Sequence, residues 1–370
     1  MALDVASSVA VAESVRREWD ADNAVLVVDR RLPPDARRRL IDTLGVHTIF
    51  DGRQRTSVNP NAEPMRDGEA LVVATSGTSG EPKGVVHTHA ALRAASLATA
   101  AALRCGAESH WLACLPLSHI GGFGVLARAW HTGARLTVHD AFDPASAMTS
   151  GATHVSLVAT ALGRVDPASF DRILLGGSRP PSSIPANVTV TYGLTESCGG
   201  VVYDRRPIPG VDVTIAADGE VLLRGPMMMS RYRNRGLASP IDADGWLHTD
   251  DAGRIADGFL HVEGRRGDMI VTGGENVWPD AVEAALASHP AIAECAVAGV
   301  DDTEWGQRVV AWIVVRDVDV PSLENLREFV SESLPRFCAP KQIVVVDKLP
   351  RTSLGKVRRR TLVEQLTSVQ

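Results

Sequence analysis

Along the first two-thirds of the chain, short apolar runs alternate with longer stretches of helical spacing. The apolar runs are Ala24 to Val28, Leu71 to Ala74, Trp111 to Leu115, Arg135 to Val138, His154 to Val158 and Arg172 to Leu175. Each predicts a strand. Pro33 to Leu44, with Pro33-Pro34 at its start, and Ala90 to Leu103 predict helices between them. Strands alternating with helices imply α/β layers. From Val211 the texture changes to short strands punctuated by Asp-Gly at 218–219, 244–245 and 257–258, an antiparallel pattern. The last hundred or so residues change again. Pro279 to Ser288 predicts a helix, Ala293 to Val300 and Val309 to Val315 strands, Leu323 to Leu334 a helix and Gln342 to Val346 a strand. That order describes a small α+β unit. The boundary is placed within Gly264-Arg265-Arg266-Gly267, giving a large layered α/β N-terminal domain over 1–264 and a small α+β lid domain over 265–370.

Composition narrows this picture only a little. A chain of 370 residues is long enough for two domains, and 45% hydrophobic with 22% charged residues is ordinary for a globular protein. A net charge of −6 offers no general attraction to nucleic acid or an anionic membrane. No apolar run is long enough to span a bilayer, and Met1-Ala2-Leu3-Asp4-Val5-Ala6 lacks the pattern of a signal peptide. Cysteines 105, 114, 198, 295 and 338 are odd in number and contain no Cys-x-x-Cys pair. They read as reduced thiols, so a cytoplasmic protein is expected.

The chemistry concentrates in residues 75–89, set between an apolar run and a helix. Gly77, Gly80 and Gly84 allow close backbone approach to a ligand; Thr75, Ser76, Thr78 and Ser79 add hydroxyls and Lys83 adds a cation. The combination suits a polyphosphate. It is not a Walker A loop, because Pro82 precedes the lysine and Gly84 follows it. His87 and His89, two residues apart, fall on one strand face or at a strand end and read as structural.

This loop resembles the phosphate-binding loop of the adenylate-forming superfamily, which includes acyl- and aryl-CoA ligases. Six further segments resemble that superfamily in the expected order. Leu115 to His119 resembles the segment whose histidine gates the carboxylate pocket, and Gly176-Gly177-Ser178 the turn lining the adenine. Tyr192-Gly193-Leu194-Thr195-Glu196 resembles the pentad whose Tyr stacks on adenine, whose Thr meets the α-phosphate and whose Glu binds Mg²⁺. In Gly245 to Asp251 the resemblance gives the ribose hydroxyls to Asp251, shared with Arg265. Asp250 replaces the usual glycine, either adding a carboxylate near a polyanion or pointing away. Gly267 stands where relatives carry an Asp or Lys hinge residue. Gly273-Gly274-Glu275-Asn276 resembles the loop lining the pantetheine tunnel, and Lys356, in Pro350 to Lys356, the catalytic lysine.

The resemblance implies a two-step reaction. A carboxylate first takes AMP from ATP with Mg²⁺; the lid then rotates and the thiol of CoA displaces AMP. The chemical logic is that Lys83, Lys356, the loop N–H groups and Mg²⁺ on Glu196 supply positive potential where two anions must meet.

Within the superfamily, residues 115–177 are most similar to the o-succinylbenzoate–CoA ligases of menaquinone biosynthesis. Their acid is a dianion. Arg128, helically downstream of His119, is the candidate for its second carboxylate, with a surface helix arginine as the alternative. Most relatives carry a longer segment before the phosphate loop, so an N-terminally shortened large domain is expected, and a homodimer would cover core surface so exposed. The alternatives are another aryl- or short acyl-CoA ligase, a carrier-loading adenylation enzyme, or a catalytically silent nucleotide-binding scaffold. Cys198 reads as a small packing residue, with a reactive thiol as the alternative.

Overall fold

The computed structural model describes all residues except 77–80, 178–179, 182, 235, 317–319, 352–356 and 369–370. The chain forms two compact units. Met1–Thr214, Leu222–Thr249 and Asp257–Leu260 make the first; Ile215–Val221, Asp250–Ala256 and His261–Gln370 make the second.

The first unit holds two seven-stranded sheets. One contains β1 (Ala2–Leu3), β2 (Val25–Val27), β3 (Thr48–Phe50), β4 (Arg55–Ser57), β5 (Glu69–Ser76), β6 (Pro82–Thr88) and β16 (Arg231–Tyr232). Its order is β16-β6-β5-β2-β1-β3-β4, parallel from β5 to β3 and antiparallel at both edges. The other contains β7 (His110–Ala113), β8 (Arg135–Val138), β9 (His154–Leu157), β10 (Arg172–Leu175), β11 (Val188–Leu194), β12 (Gly199–Tyr203) and β13 (Arg206–Pro207). Its order is β13-β12-β11-β10-β9-β7-β8, parallel from β8 to β11.

Helices α1 (Ser8–Asp20), α2 (Pro34–Thr43), α3 (His89–Leu103), α4 (Ile120–Thr132), α5 (Pro144–Met148) and α6 (Ala159–Leu162) cover these sheets. The α3 helix is alanine-rich. Thr88 Oγ1 accepts from Ala91 N at 3.0 Å at its start, satisfying one otherwise orphaned donor. It packs on α4, on β5 and β6 of the first sheet and on β12 of the second, while α4 also lies on β7, β8 and β9. Leu26, Val72 and Val86 bury against Leu40 and Ile41 of α2. Val155, Leu157, Ile173 and Leu175 bury against Ala147, Ala161 and Leu162 of α5 and α6.

All six predicted strands occur, though the one expected over Trp111–Leu115 ends at Ala113. The larger difference lies after the expected phosphate-binding loop. Residues predicted to lead straight into a helix form β6, because Val85 and Val86 pair with Val73 and Val72 of β5. The loop therefore joins two antiparallel strands, and His87 lies within β6 while His89 opens α3.

A four-stranded sheet of β14 (Asp212–Ile215), β15 (Glu220–Arg224), β17 (Leu247–Ala256) and β18 (Phe259–Arg265) follows, and the division between units passes through it. The second unit continues with β19 (Ile270–Thr272), β20 (Glu275–Val277), α7 (Pro279–Ala287), β21 (Ile292–Asp302), β22 (Gly306–Val315), α8 (Leu323–Ser331), β23 (Gln342–Val345) and α9 (Arg359–Thr367). Its central strand is apolar on both faces. Val309, Ala311 and Ile313 bury against α7 and α8, whereas Val310 and Trp312 bury against Leu362 of α9. That two-residue alternation explains why β22 reads as a continuous apolar run. Among the described residues no helix is long and apolar enough to cross a membrane.

Candidate active site

Parallel strands β7, β9, β10 and β11 end at one edge of their sheet, and the predicted site segments follow from those ends. In open α/β sheets this edge is where ligands bind. Segment 114–119 leads from β7 into α4, Gly176-Gly177 follows β10, and Tyr192 to Glu196 closes β11. Gly77, Thr78, Ser79, Gly80, Ser178 and Lys356 lie outside the described residues.

The Thr195-Glu196 turn is a hairpin between β11 and β12, not a helix start. Ser197, fully buried, receives Leu194 N at 2.8 Å, and its hydroxyl lies 3.1 Å and 2.9 Å from the carbonyls of Leu194 and Gly199. A Cβ at Gly193 would stand 2.0 Å from the Gly199 carbonyl oxygen, so the turn closes only with glycine there. Glu196 is half-buried. Tyr232 donates its hydroxyl to Glu196 Oε1 at 3.0 Å, and Met229 N donates to the Glu196 carbonyl at 2.8 Å.

The same downstream segment holds the base of the expected phosphate-binding loop. Asn234 accepts from Gly84 N through Oδ1 and donates to the Pro82 carbonyl through Nδ2, both at 2.8 Å. Thr75 pairs with Lys83 across the β5–β6 ladder, and the Lys83 ammonium lies 5.4 Å from the centroid of the Tyr232 ring. Arg231 forms a two-point pair with buried Glu69 at 2.8 and 3.0 Å. Burial alone would push the Glu69 carboxyl up, but Arg231 and neighbouring donors outweigh it and hold the group ionised.

His119 caps α4 from an extended conformation. Its Nε2 lies 3.3 Å from Asp29 Oδ2 and 3.1 Å from Arg31 Nη2, both in the segment that follows β2. Arg31 grips Asp29 at 2.8 and 2.6 Å. Burial opposes ionisation of Asp29, yet hydrogen bonds from Arg31 and His119 together hold its carboxyl well below the usual range. A Cβ at Gly122 would sit 2.3 Å from the Pro116 carbonyl oxygen, so the first turn of α4 folds onto the 115–116 backbone only as glycine.

Arg128 is buried on α4, with its guanidinium 4.4 Å from the centroid of Trp111. Its Nε and Nη1 have no hydrogen-bond partner, and burial lowers its pKa. Nine residues of helix separate it from His119, about 13 Å at 1.5 Å per residue. The surface-arginine alternative is therefore excluded. Cys198, in a left-handed conformation with φ 60°, is buried, and burial pushes its thiol up to about 12. It is a packing residue rather than a reactive thiol.

The second unit carries the remaining site residues. Arg265 Nε pairs with buried Asp251 Oδ1 at 3.0 Å, bringing together the two expected ribose contacts. Asp250 is exposed with φ 60°, a region that favours glycine and tolerates aspartate, which accounts for the exchange at this position. Its amide donates to Glu220 Oε1 at 2.7 Å. Gly273 and Gly274, at φ 60° and 84°, make the two-residue turn between β19 and β20, and Glu275 is exposed beside them.

Residues 4–233 match the AMP-binding enzyme family, and residues 281–356 match the AMP-binding enzyme C-terminal domain. The chain belongs to the AMP-binding enzymes. Among relatives of this AMP-binding enzyme is the probable 2-succinylbenzoate–CoA ligase of Mycobacterium tuberculosis, 41% identical over 331 residues. The match covers 82% of this chain and 86% of that protein. Among solved structures, o-succinylbenzoate CoA synthetase of Bacillus subtilis with its acyl-adenylate intermediate superposes with a TM-score of 0.87 at 27% identity. That match covers 98% of this chain and 87% of the other. The same enzyme with ATP and magnesium ion superposes at 0.86, also 27% identical.

Sequence reasoning missed Tyr232, Asn234, Asp29 and Arg31. None carries a local signal, because each reaches the site only through strand pairing or a contact across sheets.

Proposed function

We propose that this AMP-binding enzyme is an AMP-forming ligase that adenylates o-succinylbenzoate and transfers the acyl group to CoA, a step of menaquinone biosynthesis. The observation that carries this reading is the 41% identity to a probable 2-succinylbenzoate–CoA ligase across 82% of the chain. ATP and CoA are its co-substrates and Mg²⁺ its metal.

Mg²⁺ commonly takes one or two carboxylates plus substrate phosphates and water. The half-buried Glu196 carboxylate suits that mode, and no cluster of three or more His, Cys, Asp or Glu suggests a closed protein cage among the described residues. Glu196 would hold the ion, which when bound offsets charge on the nucleotide phosphates.

Lys83 and Thr195 take the phosphates, Thr75 to Gly80 cradle them, and Tyr192 with Gly176, Gly177 and Ser178 receives the adenine. Asp251 and Arg265 hold the ribose. His119, steadied by Asp29 and Arg31, faces the reacting carboxylate, and Arg128 takes the second one; its burial without an anion supports that role. The C-terminal unit turns about Gly267, exchanging Lys356 for the Gly273–Glu275 loop that admits the thiol. We place the enzyme in the cytoplasm, as a homodimer.

Purified protein given o-succinylbenzoate, ATP, Mg²⁺ and CoA should yield AMP and the CoA thioester, both followed by mass. Turnover only with other acids would sink the substrate assignment. Lys356→Ala should slow adenylation by ~10²–10³-fold, the usual cost of one transition-state donor, yet leave thioesterification of supplied acyl-adenylate intact. Equal loss in both half-reactions would contradict the role of Lys356.

A further inference from the structure

We propose that Tyr232 is a positioning residue for the metal, fixing the Glu196 carboxylate through its hydroxyl and steadying Lys83 with its ring. The inference rests on the proposed role of Glu196 and adds a residue from a distant part of the chain.

The geometry places one phenol between the two charged groups that serve the phosphates. Its hydroxyl meets Glu196 Oε1 at 3.0 Å, and its ring centroid lies 5.4 Å from Lys83 Nζ, within cation–π range. A Glu side chain in a turn has free rotors. Engaging Oε1 removes that freedom and leaves Oε2 to meet a cation. Carboxylate ligands ordinarily need such outer partners, and losing one typically weakens metal affinity 10–100-fold.

The phenol is itself held from both sides. Met229 N bonds the Glu196 carbonyl at 2.8 Å, Ser230 N bonds Val86 O at 2.8 Å and Arg233 N bonds Gly84 O at 2.7 Å. Arg231 is tied to Glu69, and Asn234 to Pro82 and Gly84. Six contacts independent of the hydroxyl therefore fix the segment, so Tyr232→Phe should keep the fold and the Lys83 contact while removing the bond to Glu196.

The test measures Mn²⁺ affinity by electron paramagnetic resonance in the complex with α,β-methylene ATP, and affinity for the same nucleotide in EDTA. Tyr232→Phe should weaken Mn²⁺ binding 10–100-fold with metal-free nucleotide affinity unchanged. Glu196→Gln sets the size of a lost ligand, and adding Tyr232→Phe to it should cost nothing further. Wild-type Mn²⁺ affinity in Tyr232→Phe overturns the inference, as does an equal loss in EDTA. Unaltered affinity in Glu196→Gln would instead remove the role of Glu196 itself, a separate failure. Should Tyr232→Phe not fold, 3-fluorotyrosine in the otherwise native chain supplies a second readout. The sequence has three tyrosines, so the ¹⁹F resonance of Tyr232 is assignable against Tyr192→Phe and Tyr203→Phe. It should shift when Mg²⁺ joins the nucleotide complex, and a resonance that stays put overturns the proposal.

Discussion

Replacing Arg128 by methionine should stabilise the protein and weaken acid binding at the same time. The guanidinium is buried, and its Nε and Nη1 lack hydrogen-bond partners. Its main compensation is the Trp111 ring at 4.4 Å. A desolvated cation–π contact contributes about 2 kcal/mol. The effective penalty for a buried ion is several kcal/mol, so the charge is under-compensated, and apolar replacements of buried charges often stabilise by about 1–4 kcal/mol. For a unit of this size each kcal/mol moves Tm by roughly 2–4 °C. Arg128→Met should thus melt a few degrees higher than the parent. If the same guanidinium receives the second carboxylate, its loss removes a charge-assisted bond of ~1.5–3 kcal/mol and raises the o-succinylbenzoate KM by ~10–150-fold. Differential scanning fluorimetry and a steady-state acid titration read the two effects. A lower Tm would refute the burial argument, and an unchanged KM would remove Arg128 from the acid site.

Three further outcomes follow from local environments. His87 is fully buried; burial pushes its pKa down to about 4 from 6.5, with only the Thr195 backbone acting the other way. The unfolded chain therefore binds one more proton between those values, and stability should fall on acidification by about 1.4 kcal/mol per pH unit across that window. Denaturant melts of His87→Leu should show a shallower acid loss, and identical slopes would contradict this. Asp250→Val should cost about 1–2 kcal/mol, because a β-branched residue resists the left-handed backbone at that position, whereas Asp250→Gly should not. A shared urea midpoint for the two variants would show that the strain argument fails. Cys198 should resist iodoacetamide in the native protein at mildly alkaline pH, since its thiol is pushed up to about 12 by burial. Mass spectrometry that finds it alkylated before unfolding would count against a buried packing role.

Much of the fold was legible because its strands are short apolar runs and its helices open and close on local signals. Arg135–Val138 and Arg172–Leu175 occur with the predicted ends. Thr88 caps α3, and Gly133 closes α4 at φ 71°. Strand β6 was hidden by the glycine- and hydroxyl-rich residues before it, which read as one long loop running into the helix. Only pairing with β5 reveals Pro82–Thr88 as a strand. Tyr192 and Glu196 stood out in a compact pentad, whereas Tyr232 sits 36 residues beyond Glu196 and meets it through the pairing of β16 with β6.

The sequence by itself determined the family chemistry and the alternation of strands with helices, because a phosphate loop, a Thr-Glu turn and period-two burial are written in neighbouring residues. It also determined which residues carry charge. The tertiary structure alone decided the environments of those charges. Asp29 and Arg31 reach His119 from 90 and 88 residues away, and Arg128 is read as a surface or a buried cation only once Trp111 is seen against it. The physical reason is that desolvation and hydrogen bonding depend on what packs around a group, and in parallel α/β sheets those neighbours come from distant parts of the chain.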